Sequence, residues 1–231
     1  MSARATFYLA LVGFISLITA SLSWQVFIDL QHHREITYNE ALTHINKNLA
    51  FRLWSSSHGG VYVPVTERTP PNPYLPKDLP ERDLVTPSGR KLTLMNPAYI
   101  LRQVMEDYKD QFGVEGRITS KKYLNPKNAP DSWEEAALTL MEGGLQNEVS
   151  EIQIKDNKKF LRFMKAMKTE ASCLKCHQQQ GYKVGDIRGG ISISLPLAKH
   201  DAEAKESLLL ILSTHVFFCL IGVSLIILSY R

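Results

Sequence analysis

The chain has 231 residues, three cysteines, 44% hydrophobic residues and a formal net charge of +4. Three cysteines cannot staple a small disulfide scaffold, and this length can bury one core without disulfides. The charge is too mild, and too evenly spread, for a nucleic-acid binder.

Phe7 to Ile28 runs for 22 residues without a charge, and Leu208 to Leu228 for another 21. At about 1.5 Å rise per residue, each spans roughly 30 Å of hydrocarbon. Residues 1–30 and 201–231 are therefore expected to be transmembrane helices, with Arg4 and Arg231 on the cytoplasmic side. The long segment between them lies outside the positive-inside count. A cleaved signal peptide is the competing reading of the first span, with "SLS" before Trp24 as its small-residue site. Either way the middle of the chain is exported. Together these expectations describe a two-pass protein of the lipid bilayer.

Residues 31–57 continue the first helix, without proline or glycine, to about Trp54. Tyr38, Leu42, Ile45, Leu49 and Leu53 step by three and four along one face, with His44 solvated beside it. "SSSHGG" stops the helix, and Val61 to Val65 alternates as a short strand. "TERTPPNPYLPKDLPERD" reads as an extended, proline-rich surface loop. "RKLTLMN" is a strand. Asn96 then caps a helix whose first turn holds Pro97 and whose apolar face is Ile100, Leu101, Val104, Met105, Tyr108 and Phe112. "GRITSKKYL" alternates as a strand. Ser132 and Glu135 make a capping box for the next helix, which Gly143 closes. "SEIQIKD" and "KKFLRFMKAM" form a hairpin about Asp156-Asn157, and "GGISISLPL" is a further strand. The pattern is α+β, with helices expected on one face of a single antiparallel sheet over residues 58–200.

"CLKCH", Cys173 to His177, is the one motif with specific chemistry. C-x-x-C-H is the attachment signature of a c-type haem, two thiols reaching the vinyl groups while the next imidazole lies under the iron. Two plainer readings compete. A redox dithiol should follow a buried strand in a βαβ unit, and "FLRFMKAMKTEAS" is too basic and mixed for one. A structural zinc site needs two more ligands at similar spacing, and Cys219 is the only other cysteine. One covalent haem c is the expectation. Haem c is attached on the outer side of the bacterial inner membrane, so a periplasmic domain agrees with both spans.

The stretches "RLWSSSHGGVYVPV", "TPPNPYL", "LTLMNPAYILRQV", "RITSKKYLNPKNAPDSWEEAAL" and "CLKCHQQQGYKVGDIRGGISIS" resemble, in order, a family of exported PAS-like domains that bind one haem c. The resemblance covers roughly residues 52 to 195. It implies a PAS-like sheet with haem against it, with "HGGVY" at the second iron ligand or a haem contact. It also implies a sensory role, since such domains occur in membrane histidine kinases, chemoreceptors and cyclases. Receptors of that kind continue into a cytoplasmic module, whereas this sequence stops at Arg231. Output is therefore expected to pass through a membrane partner or a homodimer.

His58, beside two glycines that let a flat macrocycle approach, is the leading candidate for the sixth iron position. Its plainer role is a helix cap or propionate contact. Met95, Met141, Met164 and Met167 are alternatives that also suit core packing. Arg188, Tyr182 and Lys183 follow the motif closely enough to pair with haem propionates, Arg188 best because its forked donors match a carboxylate, while Lys183 reads as a solvated turn. Asp131, Glu134 and Glu135 read as a solvated, capped helix start rather than catalytic carboxylates. His215 and Cys219, four apart in the second span, read as a helix–helix contact. No constellation supports hydrolysis or group transfer, so no enzyme activity is expected. The function expected is a membrane-anchored monohaem sensor of redox state or a small gas. An electron-transfer subunit and an accessory subunit with structural haem are the alternatives.

Overall fold

The computed structural model describes residues 2–230, apart from the side chains of Lys175, Cys176 and Gln178. Arg231, expected to mark the cytoplasmic end, lies outside the described residues. The chain divides into two units, Met1–Asn39 with Leu197–Arg231, and Glu40–Pro196.

In the first unit, α1 (Ala3–Ser57) and α5 (Ala198–Ser229) are both long and apolar enough to cross a membrane. Almost none of their apolar windows is buried within the protein. They meet at a few places. The Phe14 ring lies so close to Gly222 that a β-carbon there would sit 2.1 Å from it. His215 donates from Nδ1 to the Ile211 carbonyl at 2.8 Å, so its Nε2 accepts from the Ser21 hydroxyl at 3.2 Å. That is the helix–helix hydrogen bond expected of His215.

The second unit holds the end of α1, two antiparallel sheets and three further helices. Gly59 and Gly60 end α1 with φ of 77° and 112°. A β-carbon at Gly60 would lie 2.8 Å from both the Leu94 side chain and the Met95 carbonyl, so only glycine fits this corner. The buried face of α1 is Ala41, Ile45, Arg52 and Ser55, while Leu53 is exposed. Of the predicted stripe Ile45 is fully buried and Tyr38, Leu42 and Leu49 are half-buried, while Ala41, Arg52 and Ser55 complete the buried face.

The small sheet has the order β1-β3-β2, from β1 (Val61–Pro64), β2 (Asp83–Val85) and β3 (Lys91–Met95). Strand β2 lies where the proline-rich surface loop was expected to end. It is three residues long and is held through pairing with β3 rather than by any apolar alternation. Helix α2 (Pro97–Phe112) starts as read, the Tyr99 amide donating to the Asn96 side chain at 3.1 Å. Ile100, Leu101 and Met105 are buried, but Val104, Tyr108 and Phe112 are exposed.

The larger sheet has the order β4-β7-β6-β5, from β4 (Glu115–Thr119), β5 (Glu148–Lys155), β6 (Lys158–Lys168) and β7 (Ile187–Pro196). Strand β4 ends at Thr119, five residues before the alternating pattern does. The expected hairpin is present, with Asp156 and Asn157 in the left-handed region. Two sheets thus replace the single one expected. Strand residues alternate faces. Met164 packs into the core with Ala137, Leu138 and Met141 of α3 (Ser132–Glu142), while Lys165 donates to Asn46 of α1 at 3.1 Å. Helices α1 and α3 therefore lie on opposite faces rather than on the one face expected.

The cap of α3 is Asp131 with Glu134, one residue earlier than the Ser132–Glu135 box read from sequence. Glu134 is not solvated. It is fully buried, accepts from Ser192 Oγ at 2.6 Å, and lies 3.5 Å from the guanidinium groups of Arg117 and Arg162.

Candidate functional site

The site grows from the end of β6. Met167 pairs with Gly189 and Lys168 with Ile187, so Arg188 is the extra residue of a bulge in β7. Bulges re-aim side chains. A β-carbon on Gly189 would fall 2.2 Å from the Thr119 carbonyl, so this irregular crossing of three strands requires glycine. The Thr169 amide donates to Asp186 and its carbonyl accepts from Gly185, each at 2.8 Å. These bonds tie both ends of the intervening loop together.

That loop carries the short helix α4 (Ala171–His177). On a helix, positions 173, 176 and 177 share one face, being three and four apart. The spacing of the motif and its local structure therefore agree. The side chain of Cys176 lies outside the described residues.

His177 is held from both sides. Arg188 donates from Nη1 to His177 Nε2 at 2.7 Å, and because guanidinium cannot accept, His177 must carry its proton on Nδ1. Nδ1 then donates to the Gln180 side-chain oxygen, and the Gln180 amide in turn donates to the Lys122 carbonyl at 2.6 Å. The ring is kept neutral. Burial and then the Arg188 charge lower its pKa to about 4, against the Gln180 bond that raises it, with Arg52 adding to the fall. A neutral imidazole with Nδ1–H fixed to a carbonyl oxygen is the form that offers Nε2 to a metal.

Cys173 is buried, and its sulfur accepts from the Glu170 amide at 3.4 Å and from Arg52 Nη2 at 3.5 Å. Beside this contact Ser56 and Ser172 are hydrogen-bonded at 2.9 Å. The last turns of α1 are thus joined directly to α4.

A cavity of about 500 Å³ opens on His177 and Arg188, with Met167, Tyr99, Tyr123 and Leu124 among its other walls. Its size is within the usual range for a cofactor site. His58 is not among the residues lining it. His58 is exposed at the end of α1, where Nδ1 bonds to the Trp54 carbonyl at 2.8 Å and the ring lies 4.7 Å from Trp54. This is the capping geometry weighed against ligation. Met95, Met141, Met164 and Met167 are all buried core residues, and Met167 also lines the cavity. The Tyr182 hydroxyl donates to the Arg188 carbonyl at 3.3 Å, and its ring meets His177 edge-on at 6.4 Å. Tyr182 braces the bulge. Lys183 lies at the turn, its amide donating to Asp186.

Sequence reasoning missed Arg52 and Gln180. Arg52 had a readable signal, since it stands seven residues after Ile45 on the inward stripe of an amphipathic helix. Gln180 had none, because its role depends on the short turn that follows α4.

A family model described as Tll0287-like matches residues 32–196. The chain belongs to the Tll0287-like family. That match contains every residue of the site just described and leaves out the uncharged stretches Phe7 to Ile28 and Leu208 to Leu228. It also extends the stretch of resemblance read from motifs. A solved structure titled "Crystal structure of the cyanobacterial heme-protein Tll0287" aligns with a TM-score of 0.47 at 17% identity, over 69% of this chain and 94% of that one. No curated protein matches. Among the described residues of this Tll0287-like chain, no group of three or more His, Cys, Asp or Glu could hold a metal ion by itself.

Proposed function

We propose that the domain is a covalent haem c sensor, anchored by both long helices in a bacterial inner membrane and facing the periplasm. His177 carries the reading: a neutral, oriented imidazole at the end of C-x-x-C-H, opening on a cavity beside two buried guanidinium groups. The donor set fits haem. Cys173 and Cys176 would hold its vinyl edge, His177 its iron, and Arg188 would turn from the imidazole to a propionate. Tyr182 would keep the Arg188 backbone in place. Family membership adds to this, since Tll0287 is described as a haem protein. Bound haem would supply one-electron chemistry and an iron position open to exchange. Met167, which lines the cavity, would be available as a sixth ligand, with His58 the alternative.

Sensing is preferred to electron transfer because α1 is bonded to α4 through Arg52–Cys173 and Ser56–Ser172. A signal shifts a conformational equilibrium only by interacting differently with its two states. A direct bond between the motif helix and a helix running unbroken from Ala3 to Ser57 offers such a difference. Output would pass to a membrane partner or a second copy of the chain, without enzymatic turnover. The test is carbon monoxide or nitric oxide added to the reduced, purified protein. Either gas should bind and alter hydrogen exchange over residues 42–54. No binding, with identical exchange in both oxidation states, would favour an electron carrier.

A further inference from the structure

Arg52 is only 5% exposed, and its one hydrogen bond among the described residues is to Cys173 Sγ at 3.5 Å. No carboxylate among those residues pairs with it. A buried cation without an anion is strongly destabilising, so its position favours negative charge at the atom it faces. The same sulfur accepts the Glu170 amide at 3.4 Å. Two donors converge on one buried sulfur, and a thiolate satisfies both. Burial opposes ionisation of this thiol, but the Glu170 amide and then the Arg188 and Arg52 charges outweigh it, and the pKa is lowered.

We propose that Arg52 is a positioning residue for covalent attachment, holding Cys173 as the nucleophile that adds to a haem vinyl group. The proposal rests on the haem reading above. In the addition, sulfur bonds to the inner vinyl carbon, the carbon–carbon π bond breaks, and the proton given up by the thiol ends on the terminal carbon. No electrons are gained or lost overall, so neither oxidant nor reductant is consumed. The thiolate is the reactive form, which is why a fixed cation at the sulfur matters.

The test uses the full chain in detergent. In haem-free protein with Cys176→Ser and Cys219→Ser, thiolate ultraviolet absorbance is followed against pH. Arg52→Gln should move ionisation of Cys173 to higher pH, and Arg52→Lys should bring it back towards the wild-type midpoint. In cells carrying the c-type maturation machinery, with all cysteines present, Arg52→Gln should leave most molecules with one thioether, at Cys176, and Arg52→Lys should restore both. Circular dichroism identifies a variant that misfolds, and the lysine variant then decides the matter. Unchanged ionisation together with two complete thioethers in Arg52→Gln would overturn the proposal. A wild-type chain that acquires no haem would instead overturn the haem reading, with the ionisation curve still reporting on Arg52.

Discussion

At the scale of single residues, charge placement separates structural groups from the site. Glu134 is fully buried and joins α3 to β6 and β7 through Arg162 and Ser192. Removing one member of a buried ion pair costs about 3–5 kcal/mol. Glu134→Ala should fall near 3 kcal/mol, since Arg162 keeps Asp131 at 2.9 Å. Denaturant melting of the purified chain measures this, and a loss below 1 kcal/mol would mean that the pair is solvated. Met167→Leu should abolish the six-coordinate haem spectrum while leaving the haem attached, and His58→Ala should leave that spectrum as it is. The reverse result would give the sixth position to His58. Gly189→Ala should destabilise by about 1–3 kcal/mol, because its methyl group would meet the Thr119 carbonyl rather than a yielding side chain.

At the scale of elements, local signals were legible where the backbone dictates the residue. Asn96-Pro97, the Asp156-Asn157 turn, and Gly59-Gly60 at the end of α1 all stand where their conformations require. Tertiary context decided the rest. Strand β2 has no alternating pattern, and β4 stops at Thr119 because Ser120 turns to bond the Arg188 carbonyl at 2.7 Å. The cap of α3 was misread by one residue because Asp131 and Ser132 both suit the position; Arg162 pairs with Asp131 and settles the choice. Burial raises the pKa of Asp131, but the Glu134 amide and the Arg162 charge outweigh it and hold it below its ordinary 3.8. Such a group stabilises the folded chain above its unfolded pKa, and the contribution is lost as pH falls through the lower folded value. Asp131→Ala should cost about 1 kcal/mol at pH 7, the usual worth of an N-cap. The gap between variant and wild type should close in melts taken at pH well below 3.8. A gap independent of pH would assign the effect to the cap alone. For the site itself, the motif and Arg188 were legible in the sequence. The inward position of Arg52 could be read from the helix stripe, but its partner Cys173, 121 residues away, could not.

At the scale of the whole molecule, the two spans and the haem motif support a single arrangement. On the proposed reading, a domain that receives haem c would be exported, and α1 and α5 would each cross the membrane once, with their outer ends on the cytoplasmic side. A reporter fused after Arg231 should be active only in a form that works in the cytoplasm, and activity of a periplasmic reporter there would refute the topology. The central claim is that haem is carried on α4 through Cys173 and Cys176. Its most direct test is the intact mass of denatured full-length protein made with the c-type maturation machinery. The wild-type chain should carry the added mass of one haem, and the Cys173→Ala, Cys176→Ala double variant should carry none. A wild-type mass equal to that of the bare polypeptide would contradict the account.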